Sequence, residues 1–304
     1  MKPSVYVTRA VPEETLAALR AQFDVEVNPD DRVLSRAELM EKVKGRAAVV
    51  SLLTDTIDGA VLDAAGPQCR IVANYAVGYN NFDVAAATAR GVVLTNTPGV
   101  LDNATATHTI ALMLAAARRI PEADRYVRSG AWHGWAPLQF IGQDVDGKVL
   151  GVAGLGRIGR NVARKARAFD MQIIYTDAVR NEAFEAETGA RFVDKATLLA
   201  ESDFLTLHTP LMPETHHYIG AAELRAMKPN AVLVNASRGP VVMRPRWSRR
   251  CGTTRSPRPA WMCTRTSRNW LPAWQRSRTP WWCRTSPRRR GRPGLPWARL
   301  LHAT

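Results

Sequence analysis

The fold is decided by the stretch Val149-Leu-Gly-Val-Ala-Gly154-Leu-Gly156-Arg-Ile-Gly159-Arg, in which a short apolar run leads into the pattern Gly-x-Gly-x-x-Gly. A helix-forming segment follows, from Asn161 to Phe169. In this order Gly154 makes a tight turn, Gly156 lets backbone approach a pyrophosphate, and Gly159 lets the helix pack close to the strand. The amino terminus of the helix then presents free N–H groups and a partial positive charge to phosphates. The stretch therefore predicts a strand, turn and helix that bind a dinucleotide.

A second apolar run, Gln172-Ile-Ile-Tyr-Thr-Asp177, ends in an acid about twenty residues after the glycines, where a ribose-binding carboxylate belongs. A carboxylate there disfavours a 2′-phosphate, so NAD is predicted over NADP. Arg180 lies close by and leaves NADP open as an alternative. A chance glycine-rich turn followed by a capping Asp is the other interpretation, but the order of strand, turn, helix, strand and acid favours a dinucleotide site.

The basic charge of the chain is concentrated at one end. The formal net charge is +15, and residues 243–304, called the tail below, hold sixteen Arg and no Lys, Asp or Glu. The other residues are close to neutral, so charge does not predict a nucleic-acid or membrane partner for them. We find no signal peptide and no long uninterrupted apolar segment, and we expect a soluble cytoplasmic protein. No metal site is predicted.

Strands and helices alternate on both sides of the glycine motif. The length of 304 residues is sufficient for two domains. Strands are predicted at 4–8, 24–28, 47–53, 70–74 and 92–95 before the motif, and at 191–193, 204–208 and 231–235 after it. Helices are predicted at 12–23, 35–43, 59–65, 82–90, 196–201 and 221–227, and Ser35 with Glu38 forms a capping-box signature for the second of these. This alternation predicts parallel, doubly wound sheets.

A segment without periodicity, 130–145, follows two helices predicted at 103–119 and 122–129. It carries Trp132 and Trp135. Aromatic side chains in an irregular segment are typical of an arm that packs on a neighbour. We expect the neighbour to be a second copy of the chain, in a homodimer.

Three loops that follow predicted strands are candidates for ligand binding. Leu53-Thr54-Asp55 and Ala76-Val77-Gly78-Tyr79 lie at carboxyl ends of strands, where ligands of doubly wound sheets sit. Arg238 comes directly after a buried strand and beside a glycine, and it can present a fixed fork of donors to a carboxylate. A surface arginine in a turn is the alternative interpretation of Arg238.

Five segments together resemble the D-isomer-specific 2-hydroxyacid dehydrogenase family, and most closely its glyoxylate/hydroxypyruvate reductase branch. They are the glycine motif and Asn74-Tyr-Ala-Val-Gly-Tyr-Asn-Asn-Phe-Asp83, Thr95-Asn-Thr-Pro-Gly-Val-Leu101, Leu207-His-Thr-Pro-Leu-Met-Pro-Glu-Thr215 and Val234-Asn-Ala-Ser-Arg-Gly239. They run in the order of the family, and the resemblance covers residues 1 to about 242.

The resemblance implies two doubly wound α/β domains. A flavodoxin-like substrate-binding domain would span 1–98, and a Rossmann NAD-binding domain would span 99–242. Leu53, the backbone at Val77 and Gly78, and Arg238 would bind the substrate carboxylate, and Arg238 would also polarise the carbonyl. The expected cofactor contacts are Thr107, Gly154, Leu155, Gly156, Arg157, Ile158, Gly159, Asp177, Thr209, Pro210, Thr215, Ala236, Ser237 and Arg238. The implied activity is NADH-dependent reduction of a small 2-oxo acid, namely glyoxylate to glycolate or hydroxypyruvate to glycerate. Phosphohydroxypyruvate and pyruvate also stay open.

The catalytic His and Glu of that family have no counterpart in this chain. In the family both follow the Arg, in motifs like Pro-His-Ile and Leu-Asp-Val-Tyr-Glu-Asp-Glu-Pro, and the His gives a proton to the carbonyl oxygen while the Glu orients it. The tail contains no Asp or Glu, and its one His is His302. It also lacks Val, Ile, Phe and Tyr but holds seven of the nine Trp. Because no periodic apolar face runs through it, the tail is not expected to complete the sheet.

The genetic code accounts for this break, because Trp and Met each have one codon and leave little freedom when a run is read out of frame. Trp261-Met262-Cys263 read from the preceding base gives Asp-Val after a residue that can be Leu, and the codons after it allow Tyr-Glu-Asp-Glu-Pro. Residues 280–287 likewise allow Val-Val-Val-Pro-His-Ile-Ala, and residues 243–247 allow Asp-Glu-Ala-Ala-Leu. Three family motifs emerge from one shift, so we infer that the reading frame slips by one base after Val242.

The gene is thus interpreted as that of a 2-oxo acid reductase, whereas the chain as written is expected to fold poorly and to turn over negligibly. Two alternatives stay open. The tail could be an arm that binds nucleic acid, since clustered Arg with aromatic residues suits single strands. The chain could also be a corepressor-like NAD sensor, which needs nucleotide binding but no turnover.

Overall fold

A computed structural model describes residues 1–243 and the backbone of the short segment 258–261. Among these residues Met1–Val100 form one compact unit, and a second unit begins at Leu101. Each unit has its own parallel sheet, and the predicted α/β class is confirmed. No helix in the described part of the chain is long and apolar enough to cross a membrane.

The first unit is a five-stranded sheet in the order β2-β1-β3-β4-β5, with every neighbouring pair parallel. This is the strand order of flavodoxin-like sheets. Its elements are β1 Ser4–Val7, α1 Glu13–Gln22, β2 Asp24–Val27, α2 Arg36–Lys42, β3 Ala48–Ser51, α3 Gly59–Ala65, β4 Ile71–Asn74, α4 Val84–Ala89 and β5 Val93–Thr95.

Local signals in the sequence explain where these helices start. Ser35 and Glu38 form the predicted capping box of α2, in which the Ser35 side chain accepts from Glu38 N and the Glu38 side chain accepts from Ser35 N. Asp58 and Asp83 cap α3 and α4 in the same way, by accepting from a backbone N–H one turn on. Each cap satisfies a donor that the helix itself leaves free.

The second unit has a six-stranded parallel sheet in the order β11-β10-β9-β6-β7-β8. Numbered from β6 as the first strand, this is the order 6-5-4-1-2-3 of dinucleotide-binding Rossmann sheets. Its elements are α5 Asp102–Ala117, α6 Ile120–Arg128, β6 Val149–Ala153, α7 Arg157–Ala166, β7 Gln172–Thr176, α8 Glu182–Thr188, β8 Arg191–Phe192, α9 Lys195–Glu201, β9 Phe204–Leu207, α10 Ala221–Ala226, β10 Val232–Asn235 and β11 Arg258–Trp261.

Alternate residues of the central strands face opposite sides of this sheet, as the two-residue period of a strand requires. Leu150 and Val152 lie in the apolar cluster that includes residues of α5 and α7. Leu205 and Leu207 lie in the cluster that includes residues of α9. Both faces are covered, which is why these strands are mainly apolar, with Thr206 in β9 as an exception.

The structure corrects two predictions for the second unit and adds one helix. The tail was not expected to join the sheet, yet 258–261 pair in parallel with β10. A backbone ladder needs only free N–H and C=O groups on the open edge of β10, and an edge strand tolerates Pro259 because one of its sides is unpaired. Helix α7 begins at Arg157 rather than at Asn161. Helix α8 was not predicted, although Asn181 caps its start and Gly189 ends it in a left-handed conformation. The rest of the tail lies outside the described residues.

Candidate functional site

The glycine loop between β6 and α7 has the backbone that a dinucleotide site needs. Gly154 has a φ of +89°, and a Cβ there would lie 2.9 Å from His208 C and from Thr209 N. A Cβ on Gly159 would lie 2.2 Å from Gly154 O, so only glycine lets α7 come this close. A Cβ on Gly156, by contrast, would meet nothing within 4 Å. The first and third glycines are thus required by packing, whereas Gly156 leaves an open space.

Leu155, Arg157 and Ile158 complete the predicted loop. Because α7 starts directly after Gly156, the first turn of the helix consists of predicted site residues and its free N–H groups border the open space. Leu155 is buried, and its N–H donates to Asp177 Oδ2 at 2.6 Å.

We predict opposite effects for alanine at the second and third glycines. Gly156→Ala should leave the melting temperature nearly unchanged but weaken NADH binding, because its Cβ occupies the space that a pyrophosphate would enter. Gly159→Ala should cost about 1–3 kcal/mol of stability, since its Cβ collides with backbone. Thermal melting and NADH fluorescence titration measure the two effects. Loss of stability in Gly156→Ala without loss of affinity would contradict the assignment of that open space.

Asp177 follows β7 and is tied to the glycine loop. Its Oδ2 accepts from Leu155 N, and its Oδ1 accepts from Ala178 N at 2.7 Å. The residue itself is exposed, so its carboxylate remains accessible to further donors. Arg180, which left NADP open, is held by Glu185 through an ion pair of 2.7 Å.

The loop after β9 contains three of the predicted cofactor residues, Thr209, Pro210 and Thr215. The buried hydroxyl of Thr209 has no hydrogen bond within the described residues. Thr215 Oγ1 donates to Pro210 O at 2.5 Å and accepts from Met212 N at 2.8 Å, which fixes the loop in a compact turn. A buried hydroxyl without a partner costs free energy unless a ligand satisfies it. The Thr209 hydroxyl, the open space at Gly156 and the carboxylate of Asp177 together fit a dinucleotide.

His208 lies beside this hydroxyl and was passed over in the sequence analysis. Its Nε2 lies 2.9 Å from Thr206 Oγ1, and its buried Nδ1 has no partner in the described part of the chain. Burial lowers the pKa of His208 to about 4, so the imidazole is neutral at pH 7. The sequence did contain a signal for His208, because it is a polar residue at the end of a mainly apolar predicted strand.

Arg238 is held at the end of β10 by a second residue that the sequence analysis did not single out, Asn235. The Asn235 amide donates to Arg238 O at 2.8 Å, and its Oδ1 accepts from the N–H and hydroxyl of Ser237. Ala236 N donates to Leu207 O, which ties this loop to β9. Burial lowers the pKa of the Arg238 guanidinium, although an arginine remains charged in proteins. A cation withdrawn from water in this way attracts an anionic group strongly.

The substrate loops predicted in the first unit also carry free polar groups. The hydroxyls of Ser51 and Thr54, on either side of Leu53, are buried without a partner among the described residues. The N–H groups of Val77 and Gly78 donate no hydrogen bond within the same part of the chain. Free donors of this kind suit a small anion such as a carboxylate.

The structure brings most of the predicted cofactor residues of the second unit together, but not all of them. Gly154 meets the loop at Thr209, Leu155 meets Asp177, and the loop of Ala236 is tied to β9. Thr107 is exposed on α5, and within the described residues no hydrogen bond joins it to that cluster. No group of His, Cys, Asp and Glu there could hold a metal ion.

A six-stranded Rossmann sheet with this glycine loop and a carboxylate after its second strand defines a dinucleotide-binding α/β protein, and the chain has a second, flavodoxin-like unit. Residues 110–246 match the family described as D-isomer specific 2-hydroxyacid dehydrogenase, NAD binding domain. The chain is 52% identical over 243 residues to a glyoxylate reductase of Korarchaeum cryptofilum, across 80% of this chain and 73% of that protein. It is 50% identical over 246 residues to one of Thermococcus litoralis, across 80% of this chain and 74% of that protein.

Solved structures agree with these relatives. A protein from Thermus thermophilus superposes with a TM-score of 0.81 at 36% identity, covering 89% of this chain and 84% of that one. A glyoxylate reductase from Paecilomyes thermophila superposes with a TM-score of 0.74 at 30% identity, covering 86% of this chain and 82% of that one. The chain belongs to the D-isomer specific 2-hydroxyacid dehydrogenases. It is an oxidoreductase of small 2-hydroxy acids and 2-oxo acids that uses a nicotinamide dinucleotide.

Proposed function

We propose that the gene encodes an NADH-dependent glyoxylate reductase, with hydroxypyruvate as the second candidate substrate. The observation that carries this proposal is the identity of about one residue in two to glyoxylate reductases, over a match that extends across both units. The test uses the protein whose reading frame is restored after Val242. Its kcat/KM values for glyoxylate, hydroxypyruvate, pyruvate and phosphohydroxypyruvate are compared by measuring the loss of NADH absorbance. Faster turnover of any acid other than glyoxylate would replace the proposed substrate.

In this proposal residues 1–98 bind the substrate, and residues 99–242 bind the dinucleotide. The free N–H groups of Val77 and Gly78 donate hydrogen bonds to the substrate carboxylate, and Leu53 is in the neighbouring substrate loop. In the second unit, the cationic Arg238 is suited to pair with a carboxylate and to polarise a carbonyl that is to be reduced. When bound, NADH supplies the hydride for the carbonyl carbon. The oxygen then needs a proton, and no residue of the tail matches the His that gives it in the family.

The chain as written therefore retains the elements for binding but lacks the proton donor. We propose that a one-base slip after Val242 causes this, and we call the product of inserting one base between codons 242 and 243 the frame-restored chain. The chain as written should turn over glyoxylate negligibly. NADH binding without turnover of any 2-oxo acid, before and after restoration, would favour the NAD-sensor alternative. The nucleic-acid alternative concerns the tail, which apart from Met243 and 258–261 lies outside the described residues.

NAD rather than NADP is the proposed cofactor, because Asp177 is accessible and Arg180 is engaged by Glu185. We predict that Asp177→Asn weakens NADH binding about tenfold or more, since a hydrogen bond to a charged group contributes about 1.5–3 kcal/mol. The amide oxygen can still accept from Leu155 N, so the loop stays in place. Because the repulsion of a 2′-phosphate is removed, the ratio of NADH to NADPH affinity should fall further. An unchanged ratio in paired fluorescence titrations would refute this role of Asp177.

A homodimer is proposed from the surface of α6 and the segment 130–145. Helix α6 has no buried residue. In the segment after it Trp135 is 84% exposed and Leu138 is 81% exposed. Exposed apolar side chains in such number are typical of an interaction surface. Sedimentation velocity should give twice the mass of the chain, and Trp135→Ser with Leu138→Ser should shift it toward the monomer. The cytoplasmic location stays a prediction.

A further inference from the structure

We propose that Asn96 and Asn74 are positioning residues for the substrate carboxylate. Their side-chain amides donate to the carbonyl oxygens of Val77 and Gly78. The N–H groups of the residues that follow, Gly78 and Tyr79, therefore point in the opposite direction and are left to bind a ligand. The proposal rests on the proposed function of this loop as the carboxylate site. It assigns a role to two asparagines for which the sequence analysis gave none.

Three successive carbonyl groups of the loop are each held by a donor from the first unit. Thr97 N donates to Ala76 O at 3.0 Å. The Asn96 amide donates to Val77 O at 2.7 Å, and the Asn74 amide donates to Gly78 O at 2.7 Å. Two of these three donors are side chains, and substitution can remove them without breaking the backbone.

The geometry of the peptide bond turns these contacts into a statement about the N–H groups. In a trans peptide the C=O of one residue and the N–H of the next point in opposite directions. No cis peptide occurs among the residues that the structure describes. The N–H groups of Val77, Gly78 and Tyr79 therefore each point away from the donor that holds the preceding carbonyl, and none of them donates a hydrogen bond within the described residues. Successive free N–H groups form a binding site for an anion.

Asn81 braces Asn74 and joins the two substrate loops. The Asn74 amide also donates to Asn81 Oδ1 at 3.3 Å, and the Asn81 amide donates to Asp55 O at 2.9 Å and to Leu52 O at 3.2 Å. The loop 76–79 thus has a fixed position relative to the loop that contains Leu53. Asn74 and Asp55 are almost fully buried, so these contacts are shielded from water.

The chemistry of the amide explains why asparagine is present at position 96. An aspartate would place an acceptor against Val77 O instead of a donor. It would also add a negative charge near the place proposed for the substrate carboxylate. Alanine would remove the contact and leave the peptide between Val77 and Gly78 free to rotate.

The test uses the full-length chain and its frame-restored form, with NADH present. Oxamate, a 2-oxo acid analogue that cannot be reduced, is titrated while amide resonances of Val77, Gly78 and Tyr79 are followed by NMR. Asn96→Ala should weaken oxamate binding about ten- to a hundredfold, in line with the effect of small misplacements at active sites. Asn96→Asp should weaken it further. In the frame-restored chain the same variants should raise KM for glyoxylate and leave KM for NADH unchanged.

Asn28→Ala is the matched control. Asn28 is a buried asparagine of the same unit whose amide donates to Thr8 O at 3.0 Å, and none of its hydrogen bonds within the described residues reaches the loop 76–79. It should lower the melting temperature at least as much as Asn96→Ala, because it removes more hydrogen bonds from a more buried site, but leave oxamate binding as in the parent. Equal oxamate affinity in the parent and in Asn96→Ala would overturn the proposal. If oxamate causes no shift of these three amide resonances in the parent, the loop does not bind the substrate carboxylate. In that case both the proposed function of the loop and the proposed role of Asn96 are wrong.

Discussion

Inserting one base between codons 242 and 243 is expected to raise glyoxylate-dependent oxidation of NADH by about a hundred- to ten-thousandfold. This is the usual contribution of a general acid in the right place. The restored frame would read Asp-Glu-Ala-Ala-Leu at the junction, and later Leu-Asp-Val-Tyr-Glu-Asp-Glu-Pro and Pro-His-Ile. It thereby returns the carboxylate and the imidazole that move the proton, and both are missing from the tail.

The likeness to the family stops at the point where the codons indicate the slip. Val241 and Val242 are fully buried, and Met243 N still donates to Ile219 O at 2.9 Å. The family match ends at residue 246. The matches to the glyoxylate reductases cover 80% of this chain and 73–74% of those proteins. The chain thus keeps the pattern of its family up to Val242 and loses it within a few residues.

Two further changes control this experiment. Three bases inserted at the same junction add one residue and keep the tail, so activity should remain absent. In the frame-restored chain, replacement of the restored His by Ala should return turnover to a low level while NADH binding persists. A frame-restored chain that folds and binds NADH but reduces no 2-oxo acid would defeat the proposed function. The sequence of the genomic DNA around codon 242 would show whether the slip belongs to the organism.

Sequence patterns predicted the sheets of both units because their strands are short apolar runs separated by helices with recognisable ends. The capping box at Ser35 and the glycine loop are local signals, and both were found from spacing alone. Helix α8 was missed although Asn181 and Gly189 mark its ends, since it is short and lacks a clear apolar period. The pairing of 258–261 could not be predicted, because a backbone ladder requires no particular side-chain pattern.

The contacts that position the candidate site could not be predicted from the sequence because they join residues that are far apart in the chain. Asn96 meets Val77 across nineteen residues, and Asn81 meets Leu52 across twenty-nine. Asparagine at a strand end is common in turns, and only the fold shows which carbonyl it holds. The same applies to His208, whose low pKa results from burial that the sequence does not reveal.

Arg238→Ala in the frame-restored chain is expected to lower kcat/KM for glyoxylate by about a hundred- to a thousandfold. Truncating one partner of a buried, hydrogen-bonded charge pair costs about 2–5 kcal/mol, and each 1.4 kcal/mol corresponds to a factor of ten. Arg238→Lys should lose most of this as well, because an ammonium keeps the charge but cannot present two parallel donors to a carboxylate. The loss should appear in KM and in kcat together, since the same guanidinium is proposed to bind the carboxylate and to polarise the carbonyl.

Arg225→Ala is the control for this series, because Arg225 is an exposed arginine on α10 of the same unit. It should leave both kinetic constants unchanged. NADH affinity should be similar in the parent and in Arg238→Lys, since the side chain of Asn235 still donates to Arg238 O and holds the loop that carries residue 238. If the variants of Arg238 raise KM for NADH but leave KM for glyoxylate unchanged, Arg238 binds the cofactor and not the substrate. The Asn235 side chain donates to the carbonyl oxygen of Arg238 and so fixes the backbone of that residue. Asn235→Ala should therefore lower kcat/KM for glyoxylate, though less than Arg238→Ala, even though the guanidinium is still present.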